Sequence, residues 1–123
     1  MAKTIILLGE PKSTQHIYRA TCRGKFPTTY MTAEGKAIKE AYQWEAKSQW
    51  KGKPLEGDID VTITLYFGTK RRADLDNFNK LSLDALTDIA YLDDSQIAKL
   101  TIERAYDKAR PRIEIAVGQA QAL

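Results

Sequence analysis

Apolar and polar residues alternate along three segments of the chain, which is the pattern of a β-strand with one buried face. Asp58–Phe67 shows the pattern most clearly, since each of its odd-numbered residues is apolar. Gln96–Tyr106 and Arg112–Val117 have the same period, and Lys3–Leu8 adds a short apolar run. The pattern therefore predicts four strands, of which the last two are close enough along the chain to pair as a hairpin.

Two other segments have the spacing of an α-helix. The first extends from Thr32, a residue type that caps helices, to about Trp50. The second extends from Leu75 to about Tyr91. The apolar stripe predicted for the first helix has 4-3-4 spacing, with Ile38 beside it, and comprises Ala37, Ala41, Trp44 and Ser48.

A helical wheel divides the second helix into two faces. Its core stripe consists of four apolar residues, Phe78, Leu81, Ala85 and Ile89. The opposite side is polar and consists of Asp76, Lys80, Asp84 and Thr87. Leu83 is the apolar exception on that side, and we expect it either to meet a partner or to be a solvent-exposed leucine.

These elements predict a small single α/β (α+β) domain over residues 1–123, with a frayed tail at 118–123. The order is β-loop-α-β-α-β-β, and we expect about four strands in one mixed sheet with the two main helices on one face. Gly9–Tyr30 is a long basic loop with room for a short hairpin. The aromatic residues among its basic ones suit either nucleic acid or a loop packed by its own side chains.

Composition excludes several kinds of chemistry. The chain of 123 residues has one cysteine, Cys22, and one histidine, His16, which excludes an intramolecular disulfide and a zinc site of Cys and His ligands. A Ser-His-Asp or Cys-His mechanism would depend wholly on His16, so carboxylates, lysines and hydroxyls are the groups left for catalysis. No apolar run approaches the roughly 18 residues of a membrane span, and we expect a cytoplasmic protein without a signal peptide or a membrane partner.

The net charge is only +3, but the charges are unevenly distributed. The first 30 residues carry five lysines and arginines against one glutamate, and Lys70, Arg71 and Arg72 stand together. Six aspartates follow between residues 74 and 94. Acids beside basic segments suit a metal-dependent enzyme that acts on phosphates, because bases bind the backbone and acids bind the cation. A surface of mixed charge without a site explains the same pattern.

Spacing alone leaves the geometry of the acids open. Asp74 and Asp76 come at the start of the second predicted helix, and Asp93 and Asp94 follow its end. About 17 residues of helix would separate the two pairs by about 25 Å. They meet only if the helix ends earlier and the chain doubles back. Otherwise Asp74 is a helix cap, Asp76 pairs with Lys80, and Asp93 and Asp94 form a turn.

The sequence around these acids resembles the RusA family of Holliday-junction resolvases. The resemblance rests first on Arg71-Arg72-Ala73-Asp74-Leu75-Asp76-Asn77, Lys80, Leu83-Asp84-Ala85-Leu86-Thr87 and Leu92-Asp93-Asp94. It extends to Pro11-Lys12-Ser13 through Tyr18-Arg19, to Thr32-Ala33-Glu34-Gly35 and to Pro111-Arg112-Ile113-Glu114-Ile115, and so covers nearly the whole chain. The chain departs from the family at Ala73, where a basic residue is common, and at Gln15 and His16, where asparagine is favoured.

The resemblance implies a bacterial or phage-encoded homodimer that binds four-way DNA junctions and makes paired nicks with Mg²⁺, for which Mn²⁺ can substitute. It places the family's metal-binding acids at Asp74, Asp76 and Asp94 and its catalytic lysine at Lys80, and it implies that these acids converge.

For the DNA backbone we expect contacts from basic residues of both basic segments, namely Lys70, Arg71, Arg72, Arg19, Arg23 and Lys25. The alternative is a non-catalytic basic module that binds nucleic acid, in which the acids are caps and solvated charges. Cleavage that depends on a divalent cation separates the two hypotheses.

Overall fold

The computed structural model describes residues 3–12, 18–23, 26–70 and 75–120. Along the chain the elements are β1 (Lys3–Leu8), β2 (Tyr18–Arg23), β3 (Phe26–Met31), α1 (Ala33–Gln49), β4 (Ile59–Phe67), a first 3₁₀ turn (Leu75–Phe78), α2 (Lys80–Leu86), a second 3₁₀ turn (Asp94–Gln96), β5 (Ile97–Tyr106) and β6 (Arg112–Gln119). The predicted order of the main strands and helices is confirmed.

The main sheet has four strands in the order β1-β6-β4-β5, and it is mixed as predicted. β5 runs parallel to β4, whereas β6 runs antiparallel to both β4 and β1. The predicted hairpin of the last two strands is therefore wrong, because β4 lies between them. The crossover through α2 places β5 on one side of β4, and residues 107–111 then cross the end of β4, where the Asp107 amide donates to the Phe67 carbonyl at 2.9 Å.

The long basic loop does contain a hairpin. β2 and β3 pair antiparallel in a separate two-stranded sheet, from Tyr18 opposite Met31 to Arg23 opposite Phe26. Residues 13–17 and 24–25 of this segment, which include Gln15, His16 and Lys25, lie outside the described residues. The hairpin is followed directly by α1, whose first turn is capped by the Thr32 hydroxyl accepting from the Gly35 amide at 3.2 Å.

The core lies between the helices and one face of the main sheet. Along β4 the odd-numbered residues are no more than 1% exposed while the even-numbered ones are half-buried, as the alternation predicted. The predicted stripe of the second helix is buried as well, and it consists of Phe78, Leu81, Ala85 and Ile89. No helix in the described segments is long and apolar enough to cross a membrane.

The predicted apolar stripe of α1 is wrong. Trp44 is 75% exposed, and Ala37, Ala41 and Ser48 are also exposed. The helix instead turns a stripe four residues apart toward the core, which starts at half-buried Ile38 and continues through Tyr42, Ala46 and Trp50. This face of α1 packs on the core because Tyr42 and the indole of Trp50 bury far more apolar area than Ala37 and Ala41 of the predicted stripe can.

The edge of the main sheet at β1 is covered by a side chain of α1. At β1, the Gln49 side chain accepts from the Ile6 amide and donates to the Ile6 carbonyl, each at 2.7 Å, as the backbone of a neighbouring strand would.

The last strand is longer than predicted. β6 continues through Gly118 and Gln119, where a frayed tail was predicted, because Gly118 pairs with Asp60 and Gln119 with Ile59. Residues 121–123 lie outside the described part of the chain.

Candidate active site

The helix that follows the basic turn is much shorter than predicted. α2 ends at Leu86 after seven residues, and the chain reverses between Thr87 and Tyr91. At the reversal Asp88 has a φ of +70°, a conformation that aspartate tolerates better than most residues, and its amide donates to the Tyr91 carbonyl at 2.7 Å. The segment after Tyr91 therefore lies beside the last turn of α2, because Asp93 and Asp94 line one cleft with Asp84 and Thr87.

This reversal brings Asp94 to the polar side of α2. Asp84 on α2 and Asp94 in the second 3₁₀ turn line one open cleft of about 340 Å³. Its other lining residues are Lys39 and Gln43 from α1, Thr87 and Asp88 from the reversal, and Asp93. The straight helix from Leu75 to Tyr91, on which the separation of about 25 Å rested, is therefore absent, and the distance of Asp94 from Asp74 and Asp76 stays a prediction.

The turn that carries Asp94 is held in place by the side-chain amide of Gln96. Its Oε1 accepts from the amides of Leu92 and Asp93, at 2.8 and 2.9 Å. Its Nε2 donates to the carbonyls of Leu55 and Gly57, at 2.9 and 2.8 Å. One side chain therefore joins the turn to the segment before β4. An aspartate followed three residues later by glutamine is a capping-box signature, so the contact of Gln96 with the Asp93 amide was readable in the sequence. The contacts with Leu55 and Gly57 depend on the tertiary structure.

Asp93 and Asp94 are neighbours with different surroundings. The Asp93 carboxylate caps the second 3₁₀ turn by accepting from the Ser95 amide at 3.2 Å. Hydrogen bonds from the Ser95 side chain first, and from its amide second, hold the pKa of Asp93 below its usual value. Asp94 is the first residue of the turn and is exposed at the cleft. Of the two, Asp94 is the better placed to meet a ligand, because the Asp93 carboxylate is already engaged as a cap.

The residue that ends the reversal is buried in the core. Tyr91 is fully buried, and its hydroxyl donates to the Leu83 carbonyl at 2.6 Å. Burial, with the charges of Asp94 and Asp84 second, raises the pKa of Tyr91, so the phenol stays protonated as a donor. Leu83 is only 7% exposed, so the expectation of a partner-facing or solvent-exposed leucine is wrong. The short α2 packs Leu83 into the core cluster.

Of the remaining predicted site residues, the structure describes some with their side chains, some by their backbone alone and some not at all. Lys80 is exposed at the first position of α2, one turn before Asp84. Lys70 is exposed with its Nζ 5.6 Å from the centre of the Tyr106 ring. Residues 71–74, which include Arg71, Arg72 and Asp74, lie outside the described ranges, as does Lys25. For Asp76, Arg19 and Arg23 only the backbone position is described.

The donor chemistry at the cleft is that of hard oxygen ligands. Its titratable acids are all carboxylates, which suit Mg²⁺ or Mn²⁺ better than softer metals. Within the ranges that the structure describes, no group of three or more Asp, Glu, His or Cys residues is arranged to hold a metal ion. A three-carboxylate site with Asp94 would therefore need Asp74 and Asp76, and the assignment of these ligands stays a prediction.

An open, carboxylate-lined cleft on a small mixed α/β fold is typical of enzymes that act on phosphate esters with a divalent cation. The family described as "Endodeoxyribonuclease RusA" matches residues 9–118 of the chain. The chain therefore belongs to the RusA family of endodeoxyribonucleases, and it is an enzyme of that class.

Curated relatives agree with the family. The chain is 30% identical over 113 residues to the crossover junction endodeoxyribonuclease of Enterobacteria phage 82, a match that covers 91% of each chain. It is 29% identical to the crossover junction endodeoxyribonuclease of Escherichia coli K12 over the same share of both chains. The relative from Aquifex aeolicus is 26% identical, with 91% of this chain and 86% of that protein covered.

Proposed function

We propose that the chain resolves four-way DNA junctions by paired nicking, as a homodimer that depends on Mg²⁺, in DNA recombination and repair in the cytoplasm. The names of its relatives, which are crossover junction endodeoxyribonucleases of bacteria and a phage, support the substrate. The structural observation that carries the proposal is the chain reversal at Asp88, because it brings Asp94 into one cleft with Asp84 and Thr87.

The metal ligands of this proposal are Asp74, Asp76 and Asp94, with Mn²⁺ able to replace Mg²⁺. The exposed position of Asp94 at a cleft lined by carboxylates fits a hard cation. When bound, such a cation supplies Lewis-acid activation of the scissile phosphate and of the attacking water.

In this proposal the basic residues have two roles, at the scissile phosphate and along the DNA backbone. Lys80, exposed at the start of α2, offers an ammonium group to the negative charge that develops on the phosphate. Backbone phosphates of the junction arms are bound by the two basic segments, which hold Lys70, Arg71, Arg72, Arg19, Arg23 and Lys25. A carboxylate site inside a basic surface binds DNA through its rim and reserves the acids for the cation.

The deciding experiment uses a synthetic four-way junction and a linear duplex of the same sequence, each with Mg²⁺ and with EDTA, read on a denaturing gel. We expect paired nicks in the junction with Mg²⁺, intact strands in EDTA, and little cleavage of the duplex. Junction binding without cleavage under all conditions would support the non-catalytic module instead. Equal cleavage of junction and duplex would contradict the structure specificity.

A further inference from the structure

One wall of the acidic cleft comes from α1. Lys39 and Gln43 are the two lining residues of this wall, and they lie one helical turn apart on the same face. Of the seven described residues that line the cleft, Lys39 is the only basic one, and four of the others are aspartates. Both α1 residues are half-buried, so the cleft confines their side chains more than open solvent would.

The wall has a firm support. On the core side of the same helix, Tyr42 and Ala46 are buried at 6% and 0% exposure, and the Thr32 cap holds the first turn. Within the described part of the chain, no ion pair joins the Lys39 ammonium to a carboxylate. Its charge is therefore available to an anion that enters the cleft.

A DNA phosphate needs added positive charge if it is to approach this cleft. Four aspartates at one cleft repel a DNA phosphate, and a cation bound by some of them offsets only part of this repulsion. A lysine beside an amide donor supplies a point charge and a hydrogen bond, which is a common pair for a backbone phosphate.

We propose that Lys39, assisted by Gln43, binds a DNA backbone phosphate adjacent to the scissile one, so that α1 adds a DNA contact beside α2. The inference rests on the proposed nuclease function and adds a positioning residue to it. The DNA strand then lies across the open side of the cleft, and Lys39 aligns it against Asp94.

The test compares Lys39→Ala with Lys47→Ala, which removes the same charge from the same helix. Lys47 is exposed beside Trp44 and is absent from the cleft lining. Two helical turns put it about 12 Å along the axis from Lys39, beyond the Debye length of about 8 Å at 0.15 M salt. Both variants should melt at the wild-type temperature.

Junction affinity is measured in EDTA at several salt concentrations. We expect Lys39→Ala to reduce the slope of log K against log salt concentration by about 0.9, the value for one lost phosphate contact. Lys47→Ala should keep the wild-type slope, and Lys39→Arg should restore it. In Mg²⁺, Lys39→Ala should also lower the nicking rate at saturating junction, since the strand is less well aligned.

Equal slopes for Lys39→Ala and Lys47→Ala would overturn the inference while leaving the nuclease function intact. Wild-type protein that binds the junction but does not cut it in Mg²⁺ would overturn the proposed function, and the slope comparison would still decide whether Lys39 contacts DNA.

Discussion

Asp94 and Asp93 make a matched pair for testing which carboxylate serves the cation. Asp94→Asn should lower the nicking rate by more than about 100-fold, because a neutral amide is a poor ligand for Mg²⁺. Junction affinity should be kept or improved, since a carboxylate near DNA repels phosphate. The measurement is single-turnover nicking of a four-way junction together with binding in EDTA.

The control for Asp94 is its neighbour. Asp93→Asn removes the same charge but keeps an oxygen that accepts from the Ser95 amide, so it should cost much less activity. If the two variants nick at the same rate, the assignment of Asp94 as the metal-binding acid of the pair fails.

Two buried tyrosines predict how stability depends on pH. Burial, with Glu45 second, raises the pKa of Tyr42 to about 12, and burial raises that of Tyr91 as well. The unfolded chain loses these protons near pH 10, before the folded chain does. Stability from this source is therefore complete below pH 10 and falls above it, by about 1.4 kcal/mol per pH unit for each tyrosine.

Urea unfolding at pH 9 and pH 11 checks this dependence. Tyr42→Phe should show a smaller loss between the two pH values than the wild type, whereas Tyr106→Phe, at a site that is 47% exposed, should show the same loss. A loss that is identical in Tyr42→Phe and the wild type would contradict the burial argument.

At the level of elements, the turn with Asp94 depends on one side chain. Gln96→Ala removes four hydrogen bonds and should destabilise the fold by about 1–3 kcal/mol. Because the turn also carries Asp94, nicking at saturating junction should fall while junction affinity in EDTA stays near the wild-type value. Thermal melting and single-turnover nicking measure the two effects.

Two further variants separate the anchoring role from general destabilisation. Gln96→Glu keeps the oxygen acceptor for Leu92 and Asp93 but loses both donors, so its activity should lie between those of Gln96→Ala and the wild type. Gln119→Ala removes a single bond, to the Glu56 carbonyl at 3.2 Å, and should leave nicking unchanged. Full activity in Gln96→Ala would show that Asp94 does not need this anchor.

For the molecule as a whole, the proposed homodimer predicts two cuts in one binding event. A two-fold dimer carries two sites about its axis, which matches the symmetry of a four-way junction. Sedimentation should give a dimer, and a supercoiled cruciform plasmid should yield mainly linear product. A monomer that gives mainly nicked circles would contradict this and indicate a single-strand nickase.

The structure changes which surface is available for such a dimer. Leu83 is buried, so it provides no interface. The outer edge of β5 has no strand partner within the described sheet, and Leu100 and Tyr106 of β5 are 39% and 47% exposed. An edge strand with exposed apolar residues is a common place for a second chain to pair.

Local patterns in the sequence were sufficient for most of the main elements of this fold, α2 excepted. β1 has the predicted ends, and α1, β4 and β5 lie within a residue or two of theirs, because side-chain period and caps depend on near neighbours. The motif around Asp74, Asp76, Lys80 and Asp94 was also sufficient to identify the family, and the match over residues 9–118 confirms it.

Contacts between distant segments set the rest. The buried face of α1, the length of α2 and the place of β6 between β1 and β4 all depend on which surfaces meet in the core. The cleft has the same origin, since it combines Lys39 of α1 with Asp84 and Asp94 from later parts of the chain. Periodicity in the sequence shows which residues share one face of a helix or strand. Which other element packs on that face depends on the free energy of packing the whole chain.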